Sequence, residues 1–187
     1  MKFEIPQIHT ICLDMDGPLV CDHGMFAQLD PTVPDMAAHI DVLKIFGQKQ
    51  AYLFPLIEQA IQKGLFLTAS PTTFAEYAIA VLIPFWIEKG IKVEILSSTM
   101  KENPYRKDLE QQKLQWLQNN GLGDLTAHLV EGSMKKQEYA KPGVLLIDDY
   151  DRTIGQFIKA GGYAIQYVDC NDTLDKLRLI GLAPSYY

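Results

Sequence analysis

The chain has 187 residues, and 48% of them are hydrophobic, which predicts one domain with a substantial core and room for an insertion or a small lid. It carries 17 Lys and Arg against 23 Asp and Glu, a net charge of −6 with no block of like charge. This acidic balance argues against a nucleic-acid polymer as partner, whereas a small anionic ligand stays compatible with a locally positive site.

The three cysteines, Cys12, Cys21 and Cys170, are odd in number and widely spaced. They fit neither a disulfide framework nor a zinc knuckle, which favours a reducing, cytoplasmic location. The N-terminus lacks the apolar stretch of a signal peptide. The longest apolar run, residues 78–87, is too short to span a membrane and contains Pro84. We therefore expect a cytoplasmic protein with no membrane partner; a homo-oligomer is compatible with the sequence.

Apolar runs with β-branched residues predict a first strand at residues 8–13 and four more farther along the chain. Helical patterns alternate with them, so the fold class predicted is α/β, a Rossmann-like parallel sheet flanked by helices. The later strands are predicted at residues 91–97, 127–130, 143–147 and 163–168, and the helices at 74–89, 107–119, 151–160 and 172–179.

Residues 22–66 break this alternation, because they contain helical stretches at 34–46 and 54–63 but no convincing strand. They predict a small helical cap inserted after the first strand, with residues 1–21 and 67–187 forming the α/β core.

The helices carry their own start and stop signals. The segment Ser70–Thr73 caps the helix at 74–89, Gly90 ends it, and Pro84 should kink it. Leu109, Leu114 and Leu117 predict the apolar face of the helix at 107–119. Asn171 or Asp172 is expected to cap the last helix.

Polar side chains follow three of the predicted strands where each strand ends. The first strand leads to Asp14 and Asp16, the second to Ser97 and Ser98, and the fourth to Asp148 and Asp149, after a loop with Lys135, Lys136 and Lys141. Open parallel sheets bind ligands at the carboxyl ends of their strands, so these groups should converge on one crevice. One of the serines is also a candidate helix cap, and two of the three lysines are expected to be ordinary surface charges.

Paired carboxylates at one edge of a sheet repel each other unless a cation lies between them, and hard oxygen ligands of this kind are typical of Mg²⁺ sites. In such a site a carboxylate can attack phosphorus, and a second acid can transfer protons. A serine hydroxyl and a lysine can hold the phosphoryl oxygens. The residues therefore predict magnesium-dependent phosphoryl chemistry on a small phosphorylated metabolite.

The order DMDG (14–17), ILSS (95–98), a lysine and LLIDD (145–149) resembles the haloacid dehalogenase-like (HAD) phosphohydrolase superfamily, over residues 8 to about 168. The resemblance implies that Asp14 is the nucleophile and Asp16 the acid/base, which also ligates Mg²⁺ through its backbone carbonyl. It further implies that Ser97 binds phosphate and that Asp148 and Asp149 complete the metal site.

Within that superfamily the chain looks most like the 5′(3′)-deoxyribonucleotidase branch, because of the short helical insertion and a KxxW pattern at 113–116. The branch cleaves nucleoside monophosphates, and its lysine precedes a Tyr-Ala pair, which favours Lys136 over Lys135 and Lys141. The chain departs from the branch at Pro18, where threonine or valine is usual. It departs again at VCDHG (20–24), where the branch carries an aromatic residue.

Two other functions compete with this hypothesis. A phospho-receiver domain also combines acids, a hydroxyl and a lysine on a parallel sheet, but its acid pair and its phosphorylated Asp come in a different strand order. A binding protein that keeps the scaffold without turnover is compatible with Pro18 and the Asp22-His23 stretch.

Overall fold

The structure is a computed structural model that describes residues 7–29, 49–101 and 103–185. Five parallel strands form one sheet in the order β3-β2-β1-β4-β5. The strands are β1 (Thr10–Leu13), β2 (Lys92–Thr99), β3 (Thr126–Glu131), β4 (Val144–Asp148) and β5 (Tyr163–Gln166). All five predicted strands are present, and the α/β fold class with a parallel sheet is confirmed.

Helices connect the strands. They are α1 (Asp22–Phe26), α2 (Lys49–Gln62), α3 (Leu65–Thr68), α4 (Thr73–Tyr77), α5 (Ile83–Glu88), α6 (Arg106–Asn119), α7 (Asp151–Lys159) and α8 (Cys170–Leu179). None of the helices in the described part of the chain is long and apolar enough to cross a membrane.

The predicted cap falls only partly within the described residues. The helical stretch expected at 34–46 lies outside them, whereas the one expected at 54–63 is the second half of α2. The division of the chain into core and cap stays a prediction.

The helix predicted at 74–89 contains a widened turn. A π-helical turn, Ala78–Leu82, separates α4 from α5, and the Ile83 N–H bonds back to the carbonyl of Ala78. Pro84 follows at once, in the first turn of α5, where its missing N–H costs little. The Thr72 hydroxyl caps α4 by accepting a hydrogen bond from the Ala75 N–H at 3.0 Å.

The cap predicted for the last helix was wrong. Helix α8 begins at Cys170, two residues before the predicted start, and Asp169 caps it by accepting a bond from the Asp172 N–H at 2.9 Å. The N-cap is the residue that precedes the first helical turn. Since the helix begins at Cys170, Asn171 and Asp172 already lie inside it.

The apolar face predicted for α6 was wrong in one residue. Leu109, Trp116 and Leu117 are buried, but Leu114 is 46% exposed. The helical repeat places residue 113 on the same face as 109, 116 and 117, while residue 114 is rotated away. Lys113 therefore occupies the buried position and is only 1% exposed.

Cys12 is a core residue, as predicted, and is 1% exposed within β1. Burial, with a smaller contribution from the charge of Glu94, raises the pKa of its thiol to about 12. The thiol therefore stays protonated and serves packing.

Candidate active site

Strand β1 lies at the centre of the sheet, with β2 on one side and β4 on the other. Leu13 stands opposite Ile95 in β2 and Ile147 in β4. The N–H of Asp14 continues the ladder by donating to the carbonyl of Ile147 at 2.9 Å. The residues that follow these strands therefore meet at one edge of the sheet.

Asp14 is the buried acid at the end of β1, with 5% of its surface exposed. Its Oδ1 accepts a hydrogen bond from the Met15 N–H at 2.7 Å, and its Oδ2 lies 2.8 Å from the Lys136 ammonium. Both oxygens are thus held in fixed directions.

Lys136 joins Asp14 to the acid at the end of β4. Its Nζ also donates to Oδ2 of Asp148 at 2.6 Å, and the lysine is only 1% exposed. A 3₁₀-helical segment, Ser133–Tyr139, delivers Lys136 to the site, whereas Lys135 and Lys141 are exposed. Lys136 was the preferred candidate of the three, and it alone of them reaches Asp14 and Asp148. Its contact with phosphate stays a prediction.

The environment of Asp148 disfavours its charged form. It is fully buried, and burial and the nearby Asp14 carboxylate raise its pKa to about 6, against the opposing effects of Lys136 and the Tyr150 N–H. The Tyr150 N–H donates to Oδ1 of Asp148 at 2.9 Å. The site therefore favours the uptake of a positive charge, either a proton or a cation.

Carboxylate oxygens of Asp14, Asp148 and Asp149 lie within 4.8 Å of one another. Three hard oxygen donors at this separation, with excess negative charge, fit a divalent cation such as Mg²⁺. These three acids are among the four predicted metal ligands. The fourth is Asp16, whose carboxylate lies outside this cluster, and ligation through its carbonyl stays a prediction.

Asp16 is bound by a second buried lysine, Lys113 on α6. The ammonium of Lys113 donates to Oδ2 of Asp16 at 2.6 Å, to Oγ of Ser97 at 2.9 Å and to the carbonyl of Ser98 at 2.9 Å. Lys113 therefore links Asp16, which follows β1, to the C-terminal part of β2. Of the two predicted serines, Ser97 contributes its hydroxyl to this contact and Ser98 its carbonyl.

Lys113 was not among the predicted site residues, although it begins the KxxW pattern. One signal was present. Lys113 stands on the helix face that Leu109, Trp116 and Leu117 bury, and a lysine on such a face needs an anionic or polar partner. The sequence did not say which acid that partner would be.

A tight turn follows the two acids. Both Leu19 and Val20 donate their N–H groups to the carbonyl of Met15, at 3.0 and 2.8 Å. Pro18 is buried in this turn, and its carbonyl accepts a hydrogen bond from the Thr72 hydroxyl at 2.5 Å. Pro18 therefore ties the turn to the segment that begins α4.

Gly17 approaches the acidic cluster of Asp14, Asp148 and Asp149 closely. Its φ is +87°, and a Cβ added to it would lie 2.6 Å from Cγ of Asp149. Only glycine avoids both the backbone strain and this overlap.

We expect Gly17→Ala to weaken Mg²⁺ binding at least tenfold and to lower the melting temperature. Calorimetric titration with Mg²⁺ and thermal unfolding measure the two effects. Gly64→Ala is the matched control, since Gly64 has a φ of +70° but no atom within 4 Å of the added Cβ. If both variants bound Mg²⁺ equally well, the overlap with Asp149 would have no functional consequence.

Phe66, at the second position of α3, is 5% exposed and belongs to the main hydrophobic core. Its ring centroid lies 5.9 Å from the ammonium of Lys113.

No protein-family model matches the sequence, and no curated protein matches it. Solved structures do match. A hydrolase from Streptococcus pneumoniae TIGR4 aligns with a TM-score of 0.55 and 13% identity, over 92% of this chain and 99% of that one. A HAD-superfamily hydrolase from Ehrlichia chaffeensis aligns with a TM-score of 0.53 and 14% identity, over 95% and 99%.

The chain thus has an α/β fold with an acidic site at the carboxyl edge of a parallel sheet. More particularly, it has the fold found in HAD-superfamily hydrolases. At these identities the likeness concerns the fold, and the chemistry must be argued from the side chains.

Proposed function

We propose that the protein is a magnesium-dependent phosphohydrolase that cleaves a small phosphomonoester through an aspartyl-phosphate. One observation carries the proposal. Two acids that are two residues apart, Asp14 and Asp16, are each held by a separate buried lysine at the edge of the sheet where Asp148 and Asp149 converge. The hydrolase fold of the structural neighbours supports it.

The two acids have separate roles in this mechanism. A carboxylate oxygen of Asp14 attacks phosphorus, and the bond from phosphorus to the ester oxygen breaks. Asp16 gives a proton to that departing oxygen, which leaves as an alcohol. In the second step Asp16 takes a proton from water as the water oxygen attacks phosphorus. The bond to Asp14 then breaks, and inorganic phosphate is released.

Asp14, Asp148 and Asp149 would hold Mg²⁺. The ion supplies charge neutralisation between the carboxylates and the phosphoryl oxygens. Lys136 keeps Asp14 fixed and neutralises part of the charge that it shares with Asp148. The hydroxyl of Ser97 serves as a hydrogen-bond donor to a phosphoryl oxygen.

The substrate class that the sequence resemblance implies is a nucleoside monophosphate. A panel of ribo- and deoxyribonucleoside monophosphates, sugar phosphates and p-nitrophenyl phosphate, each assayed with Mg²⁺ and with EDTA, tests the proposal. We expect phosphate release that requires Mg²⁺. Absence of release from every ester would refute the function, and preference for a non-nucleotide would refute the branch.

The raised pKa of Asp148 predicts how the stability of the folded protein depends on pH. Its pKa is raised to about 6 from an ordinary 3.8, so the folded protein binds this proton more tightly than the unfolded chain does. The stability that this proton contributes is complete below about pH 4 and is lost as the pH rises through 6.

Because Mg²⁺ competes with that proton, we expect it to raise the melting temperature more at pH 7.5 than at pH 5. Thermal unfolding with Mg²⁺ and with EDTA at both pH values measures this. Asp148→Asn should remove most of the difference. An equal shift at the two pH values in the parent protein would contradict the prediction.

A further inference from the structure

Lys113 uses its whole hydrogen-bonding capacity inside the protein. An ammonium has three N–H donors, and those of Lys113 reach Oδ2 of Asp16, Oγ of Ser97 and the carbonyl of Ser98 at 2.6 to 2.9 Å. The side chain is 1% exposed, and Phe66 lies beside it. No donor remains for a substrate, so the role of Lys113 must be exerted through its partners.

The first partner is Ser97, whose side chain is fully buried. Its Oγ accepts a hydrogen bond from the Lys113 ammonium, which occupies a lone pair of that oxygen. The hydroxyl proton of Ser97 must therefore point away from Lys113 and is available to another acceptor.

The second partner is Asp16, whose two oxygens differ. Oδ2 is bound by Lys113, whereas Oδ1 is buried and has no hydrogen-bond partner among the described residues. A buried carboxylate oxygen without a partner is costly, and such atoms in native proteins call for an occupant. The water that attacks in the second step would donate a hydrogen bond to Oδ1, and in the first step a protonated Oδ1 would itself donate to the ester oxygen.

We propose that Lys113 is a positioning residue that holds one oxygen of Asp16 and one lone pair of Ser97. It thereby presents Oδ1 of Asp16 to the leaving-group oxygen and the Ser97 hydroxyl proton to the phosphoryl group. This inference rests on the proposed phosphohydrolase function and deepens it. The two buried lysines thus have different roles: Lys136 acts on the attacking carboxylate, Asp14, and Lys113 acts on the proton-transferring carboxylate, Asp16.

The test compares two substrates whose cleavage depends to different degrees on proton donation by Asp16. An alkyl phosphate has a strongly basic leaving group that must be protonated, whereas p-nitrophenolate leaves without a proton. We expect Lys113→Met to lower kcat/KM for the alkyl ester about 100-fold more than for p-nitrophenyl phosphate, within the range that general acid catalysis supplies. Lys107→Met, an exposed lysine on the same helix, should change neither.

A double variant tests whether Lys113 acts through Asp16. We expect Lys113→Met to slow the alkyl ester much less in the Asp16→Asn background than in the parent, because only its effect through Ser97 remains there. The proposal would be overturned if Lys113→Met lowered kcat/KM equally for both esters. It would also be overturned if the losses of the two single variants multiplied fully in the double variant. If Lys113→Met does not unfold cooperatively, Lys113→Gln serves the same comparison.

A structural readout separates this proposal from the proposed function. If the parent protein released no phosphate from any ester, the phosphohydrolase would be refuted. Crystal structures of the parent and of Lys113→Met would then decide the positioning role. Displacement of the Asp16 carboxylate and the Ser97 hydroxyl supports it, and unchanged positions overturn it.

Discussion

Asp14→Asn should reduce phosphate release on the order of 10⁴-fold or more, which is the loss that follows removal of a catalytic carboxylate or nucleophile in other hydrolases. An amide is a poor nucleophile and cannot form the acyl phosphate. Steady-state turnover measures the loss. Acid-quenched reactions with ³²P-labelled ester should show a labelled, alkali-labile protein in the parent and none in the variant.

Asp124→Asn is the matched control, because Asp124 is exposed and lies outside the site. It should keep parental turnover. Thermal unfolding of Asp14→Asn must remain cooperative for the loss to be assigned to chemistry. More than a tenth of the parental activity in a folded Asp14→Asn protein would exclude Asp14 as the nucleophile.

Lys136→Met should destabilise the folded protein by about 3–5 kcal/mol at pH 7.5, the cost of leaving a buried charge without its partner. In the parent the ammonium lies 2.8 Å from Asp14 and 2.6 Å from Asp148, and all three side chains are buried. Without it the two carboxylates face each other. Urea unfolding in EDTA measures the change in the free energy of unfolding.

Adding Asp148→Asn to Lys136→Met should restore part of that stability, because it removes one of the two facing charges. Lys135→Met, the exposed neighbour, should leave stability unchanged within about 0.5 kcal/mol. Equal stability of the parent and Lys136→Met would show that the buried cation is not needed to hold the acids together.

The sheet was predictable because its signal is local. The runs in β1, β2 and β4 are short, apolar and bounded by acids or serines, and each becomes a strand within two residues of the predicted ends. The acids of the site followed from the same signal, since parallel strands place their carboxyl ends together.

The contacts of the two lysines were not predictable to the same degree, because they join residues far apart in the chain. Lys113 and Asp16 are separated by 97 positions. Nothing near Lys113 in the sequence distinguishes Asp16 from the other acids. The cap of α8 failed for a different reason, since Asp169, Asn171 and Asp172 are all good capping residues and only the start of the helix selects one.

The central place of β1 also bears on how the protein acquires its site during folding. Asp14 and Asp148 are 134 positions apart, and they meet only when β4 docks beside β1. We expect such non-local pairing to form late in folding, because a long loop must close before the contact is gained. A chain that has built β1 and β2 alone holds Asp14 without Lys136, Asp148 or Asp149. The proposed mechanism therefore requires the sheet to be complete at least as far as β4.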